Sequence, residues 1–276
     1  MRTTILISLL FGIILCCLIC CATKQPSTGS AMQDLKKALI KGKDYSANGL
    51  TFEGDLDFDL IFNNMGNSIY IESQLRFTNC TFKGNIDWSR QENRRLYFQK
   101  DVIFKGCTFE GEFKINDAVY YSLFQMDDNL FRSSLDIQRS KFIVNCRIDN
   151  NEIGQDVILQ YSNYQDHLSV FGNTIGNHLL MQAIQVQGDA QFSNSQVNNA
   201  IDLSNSYFHQ NIIMDYAEGG TKLLVGNSTV LGRFEIKYLD GFETVDFSDC
   251  DFRGYYLYIN QNESIKPILD QAKFRS

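Results

Sequence analysis

The sequence predicts an all-β fold, a parallel β-solenoid wound from very short strands, and three observations point to it. Apolar or aromatic residues recur at a fixed step of eleven. A second set of restricted positions sits two residues before them. The chain is 44% apolar, with 21 Phe and 13 Tyr, yet it has only two Pro. Proline cannot donate to a strand ladder, so its scarcity suits a chain made almost wholly of short paired strands.

The first lane begins at Phe104 and steps by 11 through Ile115, Met126, Ile137, Ile148, Leu159, Val170, Met181, Phe192, Leu203, Met214, Val225, Ile236, Phe247 and Tyr258. All 15 positions are apolar or aromatic. At this composition such a run arises by chance with odds on the order of one in a hundred thousand or less. A second lane begins at Phe109 and runs through Tyr120, Phe131, Phe142, Ile153, Tyr164, Ile175, Val186, Val197, Phe208, Gly219, Val230, Gly241 and Phe252. Only its two glycines break it. Two residues before the second lane the side chains are mostly small or polar, from Cys107, Ala118 and Asn129 onward to Cys250. Two before the first lane they are mostly apolar, from Val102 and Phe113 onward to Tyr256.

Alternate side chains of a strand point to one side, so a pair of inward residues at i−2 and i marks a strand only a few residues long. A helix would need partners three and four residues apart, which the lanes do not supply consistently. Strands this short, at intervals of five and six, cannot build a sandwich. They can wind into a solenoid in which each strand pairs in parallel with its equivalent one turn earlier. Two units of 11 then close a turn of about 22 residues.

Three stretches carry the pattern most clearly: Phe77-Thr-Asn-Cys80-Thr-Phe82-Lys-Gly84, Phe104-Lys-Gly-Cys107-Thr-Phe109-Glu-Gly111 and Phe247-Ser-Asp-Cys250-Asp-Phe252-Arg-Gly254. They resemble the Phe-rich branch of the pentapeptide-repeat family, whose consensus places a small residue two before a central Leu or Phe. The resemblance spans residues 47–258 and implies a four-sided, right-handed β-helix over residues 47–260. This chain departs from a strict five-residue step by one extra residue in every second face. A three-sided coil therefore stays open beside the square one.

Residues 1–20 have the layout of a secretory signal peptide, with Arg2 ahead of an apolar run. Leu18-Ile19-Cys20-Cys21 resembles the bacterial lipobox, which implies cleavage before Cys21 and lipidation of its thiol. Cys20 stands where that pattern usually has Gly, Ala or Ser, so Cys20 and Cys17 remain alternatives. The competing arrangement is an uncleaved signal anchor, because about 18 apolar residues approach the minimum for spanning a bilayer. Both place the body outside the cytoplasm, at a bacterial cell envelope, with the membrane as one partner.

Residues 21–30 read as a polar linker. Ser30-Ala31-Met32-Gln33 has the form of a capping box and opens an amphipathic stretch with Leu35, Ala38 and Leu39 on one face. The helix, within residues 31–46, is expected to cover the first open end of the solenoid. In the early coils Leu50/Phe52, Leu56/Phe58, Leu75/Phe77, Cys80/Phe82 and Ile86/Trp88 fit the strand pattern, while residues 60–70 and 89–98 are expected to loop out. The tail 261–276, with Pro267 and the apolar Ile265, Ile268, Leu269 and Phe274, is expected to cap the far end, where strand edges would otherwise be exposed.

The chain has 25 Lys and Arg against 32 Asp and Glu, a formal net charge of −7. That balance argues against nucleic acid as a partner, because phosphate contacts need clustered cations. Some pentapeptide-repeat proteins imitate DNA with an acidic rod, but an exported chain would not meet DNA-processing enzymes. Of the eight Cys, Cys16, Cys17, Cys20 and Cys21 belong to the leader. Cys80, Cys107, Cys146 and Cys250 take inward sites and read as small core residues. A Cys80–Cys107 disulfide is the alternative in an oxidising compartment. Asn129, Asn151 and Asn173 should stack in one column that continues as Ser195, with amides bonded along the axis.

His167, His178 and His209 are the only histidines, and none pairs with a nucleophile or a metal cluster. His167 and His178 should lie on opposite sides of a coil. Asp136, Asp202 and Asp246 share an outward column with Ile158, Leu180 and Leu224, a mixture that argues against a carboxylate active site. The expectation is a non-enzymatic binding or scaffold protein with no catalytic residue, no cofactor and no metal. The alternative is a carbohydrate-active β-helix enzyme, a polysaccharide lyase or hydrolase acting on envelope or external glycans. Ile158, Leu180 and Leu224, with Ile213 and Leu257 in a neighbouring column, form the candidate contact strip. Its occupant is expected to be an envelope protein, a glycan or a second copy of the chain in a homo-oligomer.

Overall fold

The computed structural model describes residues 28–88, 94–260 and 266–275. Over these the chain is a β-solenoid of four parallel sheets, built from strands two to six residues long. Among the described residues the first face holds ten strands, from Tyr45–Asn48 to Tyr256–Asn260, and the second eight, from Thr51–Phe52 to Glu218–Gly219. The third holds nine, from Leu56–Asp57 to Thr244–Asp246, and the fourth ten, from Ser68–Ile71 to Lys273–Phe274. The coil is therefore four-sided, which closes the three-sided alternative.

Later coils keep a step of 22: Phe109 lies opposite Phe131, Phe131 opposite Ile153, and Phe142 opposite Tyr164. Both lanes point inward and are buried, apart from a half-buried Tyr258 and the two glycines. Stacking puts like on like. Phe98, Tyr120, Phe142 and Tyr164 form a column of parallel rings with centroids 4.8, 4.8 and 4.9 Å apart.

The small site two before the second lane is buried at every position from Cys107 to Cys250, and hydrogen bonding explains its polarity. Asn129 Oδ1 accepts from the backbone N–H of Cys107 at 2.8 Å. Asn151 Oδ1 accepts from the N–H of Asn129 at 3.0 Å and from its Nδ2 at 2.9 Å, and Asn173 does the same for Asn151 at 2.9 and 3.0 Å. Each Nδ2 also donates to a carbonyl, of Phe104, Met126 and Ile148 in turn. The column continues as Ser195, which accepts from Asn173 N–H and donates to the Val170 carbonyl at 3.1 Å. Half a turn away, hydroxyls take the role: Ser140 accepts from Ala118 N–H at 3.2 Å and Ser228 from Ser206 N–H at 3.0 Å. The corner backbone N–H groups thus find partners in the next coil, as buried polar groups must.

The residue before each small site has a positive φ, between 54° and 67° at Gly106, Asp117, Asp128, Arg139, Asn150, Tyr161 and Gly172, and the series continues at the same step to Asp249. This left-handed corner favours Gly, Asn and Asp.

The early coils are longer than the later ones. Thr81 pairs forward with Thr108 and back with Thr51, and both steps exceed the regular coil. Part of the excess is a single-turn helix, Phe58–Ile61, capped by Asp57 accepting from Leu60 N–H at 3.0 Å. Arg94 clamps it to the coil: its guanidinium meets Asp59 at 2.9 Å, donates to the Phe62 carbonyl at 2.7 Å and lies 5.5 Å from the Trp88 ring. The loops expected over 60–70 and 89–98 are shorter than that. Ser68–Ile71 and Arg95–Phe98 are fourth-face strands paired with each other, because Ile69/Ile71 and Leu96/Phe98 are further inward i−2/i pairs. Residues 89–93 lie outside the described residues.

At the first end, α1 (Thr28–Ile40) packs on the strand Thr51–Phe52, with Ala31, Met32, Leu35 and Leu39 buried. It covers the end of the stack as expected. It starts at Thr28, however, so Ser30 lies inside its first turn rather than capping it, and the linker is shorter by those residues. At the other end the tail adds to the coil instead of forming a separate cap. Lys273–Phe274 pairs with Asp251–Phe252, and Ile268 with Asp246, at the same step as the coils before them. The tail satisfies the preceding edge, while Ile268, Leu269 and Phe274 stay exposed. Ile265 lies outside the described residues, as do residues 1–27, which include the expected signal peptide and Cys16, Cys17, Cys20 and Cys21.

Candidate functional site

The fold displays its outward side chains in straight columns. On the third face Lys114, Asp136, Ile158, Leu180, Asp202, Leu224 and Asp246 follow one another in register. On the first face Ile213, Glu235 and Leu257 do so. The five residues of the candidate strip are half-buried, but they do not come together. A step of 11 is half a turn, so Ile213 and Leu257 lie on the face opposite Ile158, Leu180 and Leu224. Charge interrupts each group. Asp202 separates Leu180 from Leu224, and Glu235, bonded to Arg233 at 2.7 Å and paired with Lys237, separates Ile213 from Leu257.

The carboxylates of the third face are held by their own turns and by amides of the preceding coil. Asp202 Oδ1 accepts from Ser204 N–H at 2.9 Å and its hydroxyl at 2.6 Å, and Asp246 from Ser248 at 2.8 and 2.6 Å. Asp136 accepts from Gln138 Nε2 at 3.1 Å and Asn116 Nδ2 at 3.2 Å. His178 Nδ1 lies 3.0 Å from Asp156 Oδ1 beside the third face. His167 Nδ1 accepts from Asp189 N–H at 3.0 Å beside the first, so these two histidines are on opposite sides. His209 packs edge-on to Tyr207 and touches Gln185.

Cys80, Cys107, Cys146 and Cys250 are buried free thiols; the first two stand in neighbouring coils without a disulfide. The Cys107 thiol is held above its ordinary range by its hydrogen bond with Cys80 and by burial. Burial also raises Cys146 well above that range and pushes Cys250 up to about 11. Cys107, Cys146 and Cys250 are core thiols protonated near neutrality, whereas the same hydrogen bond with Cys107 lowers the Cys80 thiol. Among the described residues no group of three or more His, Cys, Asp or Glu is placed to hold a metal ion, and no helix is long and apolar enough to cross a membrane.

Among the described residues the later coils break their regular surface on the second face. Its last strand is Glu218–Gly219, and beyond it only a single bridge joins Glu218 to Asp240. Gly219 explains the break. A Cβ there would stand 2.0 Å from the ring of Phe242, which turns inward and is buried in the place the lane would otherwise fill. Gly241, at φ +77°, makes the turn that sends it there. The face ends in two adjoining depressions of about 340 and 180 Å³. The larger is lined by Asn173, Thr174, Asn194, Ser195, Gln196, Tyr216 and Glu218. The smaller shares Gln196 and Glu218 and adds Asn198, Gly220 and Asp240. In the sequence its only signature is the pair of glycines that break the second lane, a signal of altered packing that says nothing of what gathers above it. Set against family models, curated proteins and solved structures, the chain matches none of them.

Proposed function

We propose that the protein is a lipid-anchored envelope protein whose solenoid serves as a non-enzymatic binding or scaffold module. The observation that carries this reading is the way outward side chains are arranged. They repeat at strand spacing on flat faces, and the third-face carboxylates are bound by serines and amides of their own and the preceding coil rather than poised against a base or nucleophile. Such a surface recognises by register and shape, and acid–base chemistry would need convergent groups. The anchor rests on Leu18-Ile19-Cys20-Cys21 behind an apolar leader. A tethered rod then projects its faces from the membrane through the polar stretch and α1.

The test is metabolic labelling with an alkyne fatty acid, followed by fractionation, in the native chain and in Cys21→Ser. The native chain is expected to be labelled and membrane-bound, and Cys21→Ser unlabelled. Undiminished labelling of Cys21→Ser would remove the anchor from that residue.

A further inference from the structure

The ending of the second face gathers amides, carboxylates and a tyrosine around its two depressions. Upstream its outward column reads Thr51, Thr81, Thr108, Leu130, Glu152 and Thr174, then Gln196 and Glu218. Tyr216 is 56% exposed at a left-handed corner of φ 56°, a conformation costly for an aromatic residue. Tyr238, one coil on, stacks on it at 4.8 Å and 18°. The larger depression is lined by Tyr216 and by Asn194, one coil back, and not by Tyr238. The cavity therefore meets the Tyr216 ring on the side turned away from Tyr238, beside Asn194.

The lining selects a ligand class. No Lys or Arg lines either depression, so phosphate, sulfate or uronate groups find no counter-charge and meet Glu218 and Asp240 instead. Val197 is the only aliphatic side chain in the lining, too little apolar surface for a lipid chain. Amides of Asn194, Gln196 and Asn198 both donate and accept, carboxylates accept from hydroxyls, and an aromatic face suits a C–H-rich ring. The two depressions adjoin along the coil stack, which fits a chain of rings better than a single compact molecule.

We infer that the groove at the end of the second face, from Asn194 and Gln196 to Tyr216, Glu218 and Asp240, binds a neutral or N-acetylated oligosaccharide. A sugar ring packs on the exposed ring of Tyr216, and its hydroxyls are shared between Gln196 and Glu218. This deepens the binding-module reading and rests on it.

The test is isothermal titration of the full chain with xylo-, cello-, malto- and chitohexaose, with polygalacturonate as the acidic comparison. At least one neutral hexamer is expected to bind, and polygalacturonate is not. Tyr216→Asn, which suits the left-handed corner while removing the ring, and Gln196→Ala are each expected to weaken binding by about tenfold or more. Tyr161→Asn is the control. It makes the same change at an exposed left-handed tyrosine of φ 58° outside the groove, and should leave affinity unchanged. Equal loss in Tyr161→Asn, or full affinity in Tyr216→Asn, overturns the groove while leaving a glycan-binding module standing. No binding by any neutral hexamer overturns the ligand class, and the fatty-acid labelling of Cys21→Ser is unaffected by that result.

Discussion

Asn151→Ala is expected to destabilise the solenoid by about 3–5 kcal/mol. Asn151 is 2% exposed, and its amide makes four hydrogen bonds, two accepted from Asn129 and one donated to each of Met126 and Asn173. Without it the N–H and Nδ2 of Asn129 lose their acceptor, and the Met126 carbonyl loses a donor. Each buried polar group left unpaired costs about 1–3 kcal/mol. The chain itself supplies the graded comparison, because Ser195 holds the same column by accepting from a backbone N–H and donating to a carbonyl. Asn151→Ser should therefore cost less, about 1–2 kcal/mol. Urea unfolding followed by circular dichroism reads both. An alanine variant as stable as the native chain would mean that the amide ladder does not hold the coils.

The second large effect lies in the ring column of the fourth face. Phe142 is fully buried between Tyr120 and Tyr164, parallel to each within 3°, with Phe124 tilted across it at 5.5 Å. Phe142→Ala should cost about 3–5 kcal/mol, since coils pinned by their neighbours cannot collapse into the space. The adjacent ring gives the opposite sign. The Tyr120 hydroxyl is buried with no hydrogen-bond partner among the described residues, and burial holds its ionisation well above the ordinary range. Tyr120→Phe removes that unpaired group while keeping the stack, and should stabilise by about 1 kcal/mol. Denaturant midpoints moving in opposite directions for these two variants would check both claims.

The sequence predicted the coil, its period and its inward residues because side chains stacked at one spacing must repeat in kind. Phe104, Asn151 and Ser228 each declare a position that the next coil copies. The corner conformation was equally periodic but less visible. Asn, Asp and Gly mark it at many steps, yet Arg139, Tyr161, Ala183, Tyr216 and Tyr238 hold the same positive φ and blur the pattern. The strip of Ile158, Leu180, Ile213, Leu224 and Leu257 joined residues of both half-turns, although odd multiples of 11 carry a side chain to the opposite face. The groove was the least legible feature. Gly219 reads as a gap in a lane, and nothing local to it foretells that Phe242, a full coil further along the chain, fills the gap and leaves a hollow above.

Every face assignment depends on the repeating coil, so a distance across several coils tests the account most directly. Lys114 and Leu224 point outward on the third face, five coils apart in register. Spin labels carried at these two positions by unnatural amino acids, read by double electron–electron resonance, should give one narrow distribution near 24 Å, five strand spacings of about 4.8 Å. A distribution centred well beyond that distance, or as broad as the one in denaturant, would contradict the stacked coil and everything placed on its faces.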